Sequence, residues 1–356
     1  MVDVVLENTY LVNHYFQEKG VYLEITGSKD ATLDTQLKNF HQEFINVFPY
    51  ENTQTPPKDW SEAFFRLKNS ISTIGGQQKI IIFLDELPWL ASARSSFLPA
   101  LEYSWNRHLS RMPNVIVVLC GSAASWMLEN IINNKAGLYG RLSAQIPLYP
   151  FDLTVTKHYL KQRNIQLTRK QIVELYMTIG GVGKYLSLVD PGKSVPQLIS
   201  QFFFSAQGPL FLEFHRLYRS LFDSAEKHLS IVRILSKKRY GLLQQDLLAL
   251  AKLPQSGTTT MVLRELEESG FISSLPMFGK EKKERKFKLI DEFSYFYLNW
   301  VEPIHSDILR GSNPNYWQKI YHSHAWLSWA GFAFETICLK HISKIKAALG
   351  LSLIHI

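Results

Sequence analysis

With 356 residues, the chain is too long for one compact domain and suits about two or three. It is 46% hydrophobic and 20% charged, which excludes an intrinsically disordered chain and leaves enough apolar material for real cores. The formal charge of +8 favours an acidic partner, nucleic acid first, and carries no information about fold.

The two cysteines, Cys120 and Cys338, lie inside apolar patterns without CxxC spacing. That leaves no readable disulfide framework or zinc knuckle and fits a reducing, cytoplasmic setting. The opening MVDVVLENTY has neither the basic start nor the cleavage site of a signal peptide. The apolar runs are strand-sized, too short for a membrane span.

In chain order, GVYLEITG (20–27) predicts a short strand. TLDTQLKNFHQEFINVF predicts a helix with Leu33, Leu37, Phe40, Phe44 and Val47 on one face. The prolines and polar residues of PYENTQTPPKD predict a loop. Trp60, Phe64, Leu67, Ile71 and Ile74 mark a second amphipathic helix. KIIIFLDELPWL (79–90) is a continuous apolar strand running into Asp85-Glu86, the pattern of a buried parallel strand that delivers two carboxylates to a nucleotide site. A helix with Leu98, Leu101, Trp105 and Leu109 on its face follows. NVIVVLCGSAASWM is a second apolar strand, ending at Gly121-Ser122 and passing into a helix. GLYGRLSAQIPLYPF reads as a loop bearing Arg141 and then a short strand. Strands alternating with helices predict an α/β fold with a parallel sheet covered on both faces.

Beyond about Asp152 the pattern turns helical. LTRKQIVELYMTIGG carries a capping box, Thr168 with Gln171, and a double-glycine stop. From Glu226 the order is three helices and a hairpin, the outline of a winged helix. Its third helix carries Arg264 but also Glu265, Glu267 and Glu268, a face expected to repel phosphates. The wing is basic, with Lys280, Lys282, Lys283, Arg285, Lys286 and Lys288, and SKKRYG (236–241) adds a second basic patch. Nonspecific DNA contact and a solvated charged hairpin both fit this wing. His322 and His324 stand two apart with no third partner at metal-binding spacing.

Paired carboxylates after a buried strand suit Mg²⁺ and an attacking water, although an Asp-Glu at a strand end is also a common solvated turn. Ser122, at the tip of the neighbouring strand, suits a γ-phosphate sensor and equally a helix N-cap. The stretches IIIFLDELPWL, VVLCGSAASWM and GLYGRLSAQIPLYPF resemble the prokaryotic archaeal-type ATPases, STAND-like relatives of AAA+ proteins. The resemblance covers nearly the whole chain. It implies a P-loop NTPase core over 1–152, incomplete at its N-terminus, a helical lid over 153–224 and a winged helix over 225–302. It further implies the start of a truncated restriction-endonuclease-like domain over 325–350, where Glu335 matches the first acidic position. ATP and Mg²⁺ are the implied ligands, with DNA at the basic wing and a further copy or protein partner as possible company; no membrane is implied. In the implied roles, Asp85 holds Mg²⁺, Glu86 orients water and Ser122 senses the γ-phosphate. Arg141 stabilises the transferring phosphate, in cis or from a neighbour, or is a structural arginine.

The family's phosphate loop, Gly-x-x-x-x-Gly-Lys-Thr, is not intact. TIGGVGKY offers Gly183-Lys184, but Thr178 and Tyr185 stand at the first-glycine and Ser/Thr positions, so it reads as a lid element. ENTYLVNHYF aligns better: Thr9 falls on the Mg²⁺-binding threonine, Asn8 on the lysine and Glu7 on the last glycine. Asparagine cannot supply the lysine's cation, and glutamate adds repulsion where backbone N–H groups approach phosphate. Two expectations stand: the chain is a fragment that begins inside the loop, or the loop is degenerate in a pseudo-ATPase. The closing LSLIHI (351–356) resembles a translated sequencing-library adapter, or is a chance apolar tail. The rival functional reading is a non-enzymatic DNA-binding or interaction protein on a dead nucleotide fold.

Overall fold

The computed structural model describes residues 4–49, 55–74, 76, 78–92, 94–134, 138, 140–222, 224–276, 285–313 and 315–351. Lys280, Lys282 and Lys283 of the wing, and residues 352–356 of the tail, lie outside the described residues. The chain divides into two compact units, Val2–Leu148 and Tyr149–Ile356.

The first unit runs α1 (Val4–Phe16), β1 (Val21–Thr26), α2 (Leu33–Val47), α3 (Trp60–Thr73), β2 (Ile80–Asp85), α4 (Leu87–Leu90), α5 (Phe97–Arg107), β3 (Val115–Leu119) and α6 (Ala124–Met127). The strands form a parallel sheet in the order β1-β2-β3, with Thr26 opposite Asp85 and Leu84 opposite Leu119. β2 is central and buried at all six residues, as its unbroken apolar run requires. Asp59 starts α3 by accepting the Glu62 N–H at 2.8 Å, and Thr32 starts α2 by accepting that of Thr35 at 3.2 Å. Helices α2, α3 and α5 then bury Phe40, Phe44, Trp60, Phe64 and Phe97 in one core with Leu23, Ile25, Ile80, Ile82 and Leu84 of the sheet. Trp60 meets Phe97 edge to face at 4.7 Å, so the three helices are locked through one indole.

Two expectations need correction. The buried face of α5 is Phe97, Ala100, Leu101 and Ser104. Leu98 and Trp105 are only half-buried, so the true stripe is rotated by about one residue from the most apolar one. The short strand expected after Arg141 is absent: residues 141–151 form no strand, and Ile146 is 75% exposed. β3 is an edge of the sheet, and among the described residues 141–151 do not pair with its open side.

The second unit continues with α7 (Leu153–Gln162), α8 (Arg169–Ile179), α9 (Gly183–Ser187), α10 (Val195–Phe203), α11 (Glu213–Leu221), α12 (Ala225–Ser236), β4 (Leu242–Leu243), α13 (Gln244–Leu250), α14 (Gly257–Glu268), β5 (Ile272–Pro276) and β6 (Arg285–Leu289). It ends with α15 (Glu292–Phe296), α16 (His305–Arg310), α17 (Tyr316–Ile320), α18 (His324–Lys340) and α19 (Ile342–Ala348). The predicted capping box forms: Thr168 and Gln171 exchange side-chain and backbone bonds at the start of α8. β4, β6 and β5 make an antiparallel sheet in that order. A single hydrophobic core extends from Leu160 in α7 through Val262 and Phe287 to Ile337 in α18. Within it Trp326 stacks on Trp329 at 4.9 Å and meets Trp317 edge to face at 5.0 Å. Among the described residues no helix is long and apolar enough to cross a membrane.

Glu292 carries a carboxylate into this core. It is buried, and both its oxygens accept from Lys340 Nζ at 2.8 Å. Burial raises the Glu292 pKa, and the lysine opposes that shift. Breaking a buried pair by removing one partner costs about 3–5 kcal/mol because the other charge is stranded. Lys340→Met is therefore expected to lose about 3 kcal/mol in urea denaturation at pH 7. Adding Glu292→Gln should recover most of that loss.

Candidate functional site

β2 ends by placing Asp85 and Glu86 under cover; each is 1% exposed. Asp85 Oδ2 accepts from the Thr9 hydroxyl at 2.7 Å, and Oδ1 accepts the Glu86 N–H at 3.0 Å. Glu86 sits at φ 49° and ψ 51°, a left-handed conformation that costs a non-glycine residue about 1 kcal/mol or more. Neighbouring chain holds it there. The Gly27 N–H donates to Asp85 O at 2.9 Å, and the Leu87 N–H donates to Cys120 O at 2.9 Å. A Cβ on Gly27 would stand 2.5 Å from Glu86 O, so only glycine lets the end of β1 approach this turn. At the tip of β3, the Ser122 hydroxyl donates to Glu86 Oε2 at 3.0 Å. Ser122 does not cap the following helix, whose N-cap is Ala123, so of its two expected roles only proximity to the carboxylates remains.

The sheet's side-chain alternation puts Tyr22, Glu24, Phe83 and Asp85 on the face opposite the aromatic core. α1 reaches that face through Thr9 and through Asn13, whose side chain hydrogen-bonds Glu24. The Tyr22 hydroxyl donates to Glu24 Oε2 at 3.1 Å. Burial raises the Glu24 pKa; the Tyr22 and Asn13 bonds oppose this, and the Asp85 charge adds to it. Tyr22 is itself pushed up by burial and then by Glu24. Sequence reasoning missed this second carboxylate. The available signal was the alternation in VYLEIT, which sets Tyr22 and Glu24 on the face shared with Asp85.

Asp85 and the Thr9 hydroxyl are both hard oxygen donors, a set that fits Mg²⁺ better than a softer metal. Among the described residues no group of three or more His, Cys, Asp or Glu could hold a metal. One carboxylate, a hydroxyl, waters and substrate oxygens is the usual manner of Mg²⁺ binding at phosphates. Arg141 is not gathered into the cluster: it is exposed, its backbone N–H bonds Leu138 O at 3.0 Å, and its side chain has no partner among the described residues. Lys184, the lysine of the glycine-rich decoy, lies at the start of α9 with its Nζ 3.1 Å from the buried Glu213 carboxylate. Glu7 and Asn8 fall within α1, whose helical backbone spans Val4–Phe16.

No family model matches the chain. It is 28% identical over 173 residues to the uncharacterized protein MJECL04 of Methanocaldococcus jannaschii, a match covering 49% of this chain. The chain spans about a third (34%) of that relative's length. Among solved structures, the Walker-type ATPase PABY2304 of Pyrococcus abyssi superposes with a TM-score of 0.52 at 16% identity, covering 84% of this chain and 89% of that one. The chain shares the fold of that Walker-type ATPase. DnaA from Aquifex aeolicus, solved with AMPPCP, aligns over 95% of this chain and 96% of its own at 14% identity, but its TM-score of 0.28 adds nothing to that conclusion.

The raised Glu24 pKa gives a signed pH test. The neutral carboxyl is the form that the folded state favours. Its contribution is present below the ordinary value of 4.5 and is lost as pH rises through the folded value. Glu24→Gln should therefore match the native chain in thermal stability near pH 4 and exceed it from neutral pH upward. A variant that melts earlier across the whole range would show that the ionised carboxylate is the stabilising form.

Proposed function

We propose that the chain belongs to an ATP-binding and ATP-hydrolysing switch of the STAND/AAA-like class, with nucleotide state coupled to a winged helix and a C-terminal domain. The observation that carries the reading is the Thr9–Asp85 bond at 2.7 Å beside Glu86 and Ser122. The P-loop ATPase fold supports it. Mg²⁺ would supply charge neutralisation at the β- and γ-phosphate oxygens. Asp85 and Thr9 would hold that ion from the strand end and from α1. Glu86, fixed by its turn and by Ser122, accepts a hydrogen bond from the attacking water and orients it. Ser122 is the hydroxyl that exchanges Glu86 for a γ-phosphate oxygen, which makes it the sensor. Arg141, being exposed, is available to a phosphate in cis or on a neighbouring copy. The departures at Glu7 and Asn8 weaken the phosphate grip of this chain relative to an intact relative.

Residues 153–224 serve in this reading as the lid, and 225–302 as the winged helix, on the order helix, strand, helix, helix, strand, strand. The segment 325–350 begins the nuclease-like domain. Its Glu335 lies 3.3 Å from Lys288 Nζ.

DNA binding through the winged helix is the second reading, and one observation favours it. The glutamates of α14 are engaged within their own module. Glu265 Oε2 lies 2.7 Å from the buried His228 Nε2, and Glu267 accepts from the Ser274 hydroxyl and N–H. Exposed Thr258, Thr260 and Met261 then form the open part of the helix, which carries less repulsion than the composition implied.

Calorimetry with Mg²⁺ and ATP tests the first reading. Asp85→Asn should weaken Mg²⁺-dependent nucleotide binding about tenfold or more, a loss of at least ~1.4 kcal/mol. Glu86→Gln should keep binding and lower turnover by about 10²-fold or more, in this chain or in an intact relative. Nucleotide binding indifferent to both EDTA and Asp85→Asn would remove the assignment. Absence of nucleotide binding together with retained DNA binding would favour the non-enzymatic reading.

A further inference from the structure

Two basic stretches that are far apart in sequence meet on one surface of the second unit. The turn after α12 presents Lys237, Lys238, Arg239 and Tyr240, all exposed. Gly241 seats this turn on β6: at φ 72°, a Cβ there would stand 2.5 Å from Phe287 O. The pairing of Leu242 with Phe287 and of Leu243 with Lys286 continues the contact. Lys286 and Lys288 of β6 therefore flank the turn, and Phe332 of α18 closes the third side. The Arg239 guanidinium lies 4.3 Å from the Phe332 ring centre, and Tyr240 meets the same ring edge-on at 6.1 Å. Lys238, Arg239, Lys288, Tyr295 and Phe332 line a shallow depression between them.

The charges on this surface are unbalanced. Lys288 is paired with Glu335 at 3.3 Å. Lys237, Lys238, Arg239 and Lys286 have no carboxylate partner among the described residues. A guanidinium resting on an aromatic ring keeps its N–H edge free for a phosphate oxygen. Tyr240 stays 73% exposed although Phe332 supports it, so one face of a large ring is offered to solvent beside the cations. A merely solvated lysine run needs neither the ring-mounted arginine nor the exposed tyrosine.

We propose that this surface, formed by the 237–240 turn, β6 and α18, binds single-stranded nucleic acid. The lysines and Arg239 track consecutive phosphates, and Tyr240 stacks on an unpaired base, the combination that single-strand grooves use without reading sequence. A duplex fits less well, because its base faces are covered. The proposal rests on the winged-helix reading only for the general class of ligand. It shares Lys286 and Lys288 of β6 with the basic wing of that reading but uses none of Thr258, Thr260 or Arg264 of α14.

Fluorescence anisotropy on the full chain tests it, using a labelled oligothymidine and, separately, a labelled duplex of equal length. Oligothymidine should bind at low salt. Lys237→Gln with Lys238→Gln should weaken it about tenfold and flatten the salt dependence by roughly one unit of slope. Tyr240→Ala should weaken it about fivefold or more while leaving that slope unchanged. No oligothymidine binding, or binding unchanged by both variants, overturns the proposal. The winged-helix reading is judged on the duplex arm alone: Thr260→Glu with Arg264→Glu should abolish duplex binding and leave oligothymidine binding intact. These substitutions lie on exposed side chains, and a native circular dichroism spectrum confirms that each variant is folded.

Discussion

The burial of β2 on both faces of the sheet is the constraint from which the candidate site follows. Six consecutive residues are sealed, and the sixth is a carboxylate. A buried carboxylate must be hydrogen-bonded or it destabilises the fold. Asp85 is satisfied by a hydroxyl from α1 and by the N–H of the next residue. The second of these bonds requires the chain to turn at once, and Glu86 takes the left-handed conformation that such a turn demands. The strain is carried by the ends of β1 and β3, whose backbone groups close over the turn. Packing of the sheet and positioning of the carboxylates are thus one problem with one solution.

The same logic governs the second unit. Its helices are mostly short, and short helices draw their stability from tertiary packing. One continuous core supplies that packing. Two ion pairs lie largely sheltered within it, Lys184 with Glu213 and Lys340 with Glu292. Such pairs add little net stability, but they punish any arrangement that separates them. They therefore select one register for α9 against α11 and for α18 against α15.

Much of this was legible in the residues. An unbroken apolar run announced β2 because a central parallel strand covered on both faces has no wet face. Thr168 and Gln171 announced a helix start because their side chains satisfy N–H groups that the helix leaves open. The expected apolar face of α5 does pack on the core, Leu101 within it and Leu98 and Trp105 against it, but the most buried line is centred about one residue away, on Phe97, Ala100, Leu101 and Ser104. The strand after Arg141 did not form. Local composition allows an extended chain, but a strand exists only where the segment pairs with a neighbour, and residues 141–151 do not pair with the edge strand β3.

What the sequence by itself determined was local: which segments become helices or strands, where they start, and that Asp85-Glu86 ends a buried strand beside one ending in Gly121-Ser122. These follow from periodicity, capping chemistry and the cost of burying polar groups, all readable within a few residues. Tertiary structure alone decided which distant groups share a space: Thr9 with Asp85, Glu24 with the same sheet face, and Lys237 to Tyr240 with β6 and Phe332. It also decided that Arg141 stands in solvent and that the α14 glutamates are engaged at home. Contacts across many tens of residues depend on how twisted sheets and helices close on one another, and no local pattern records that closure.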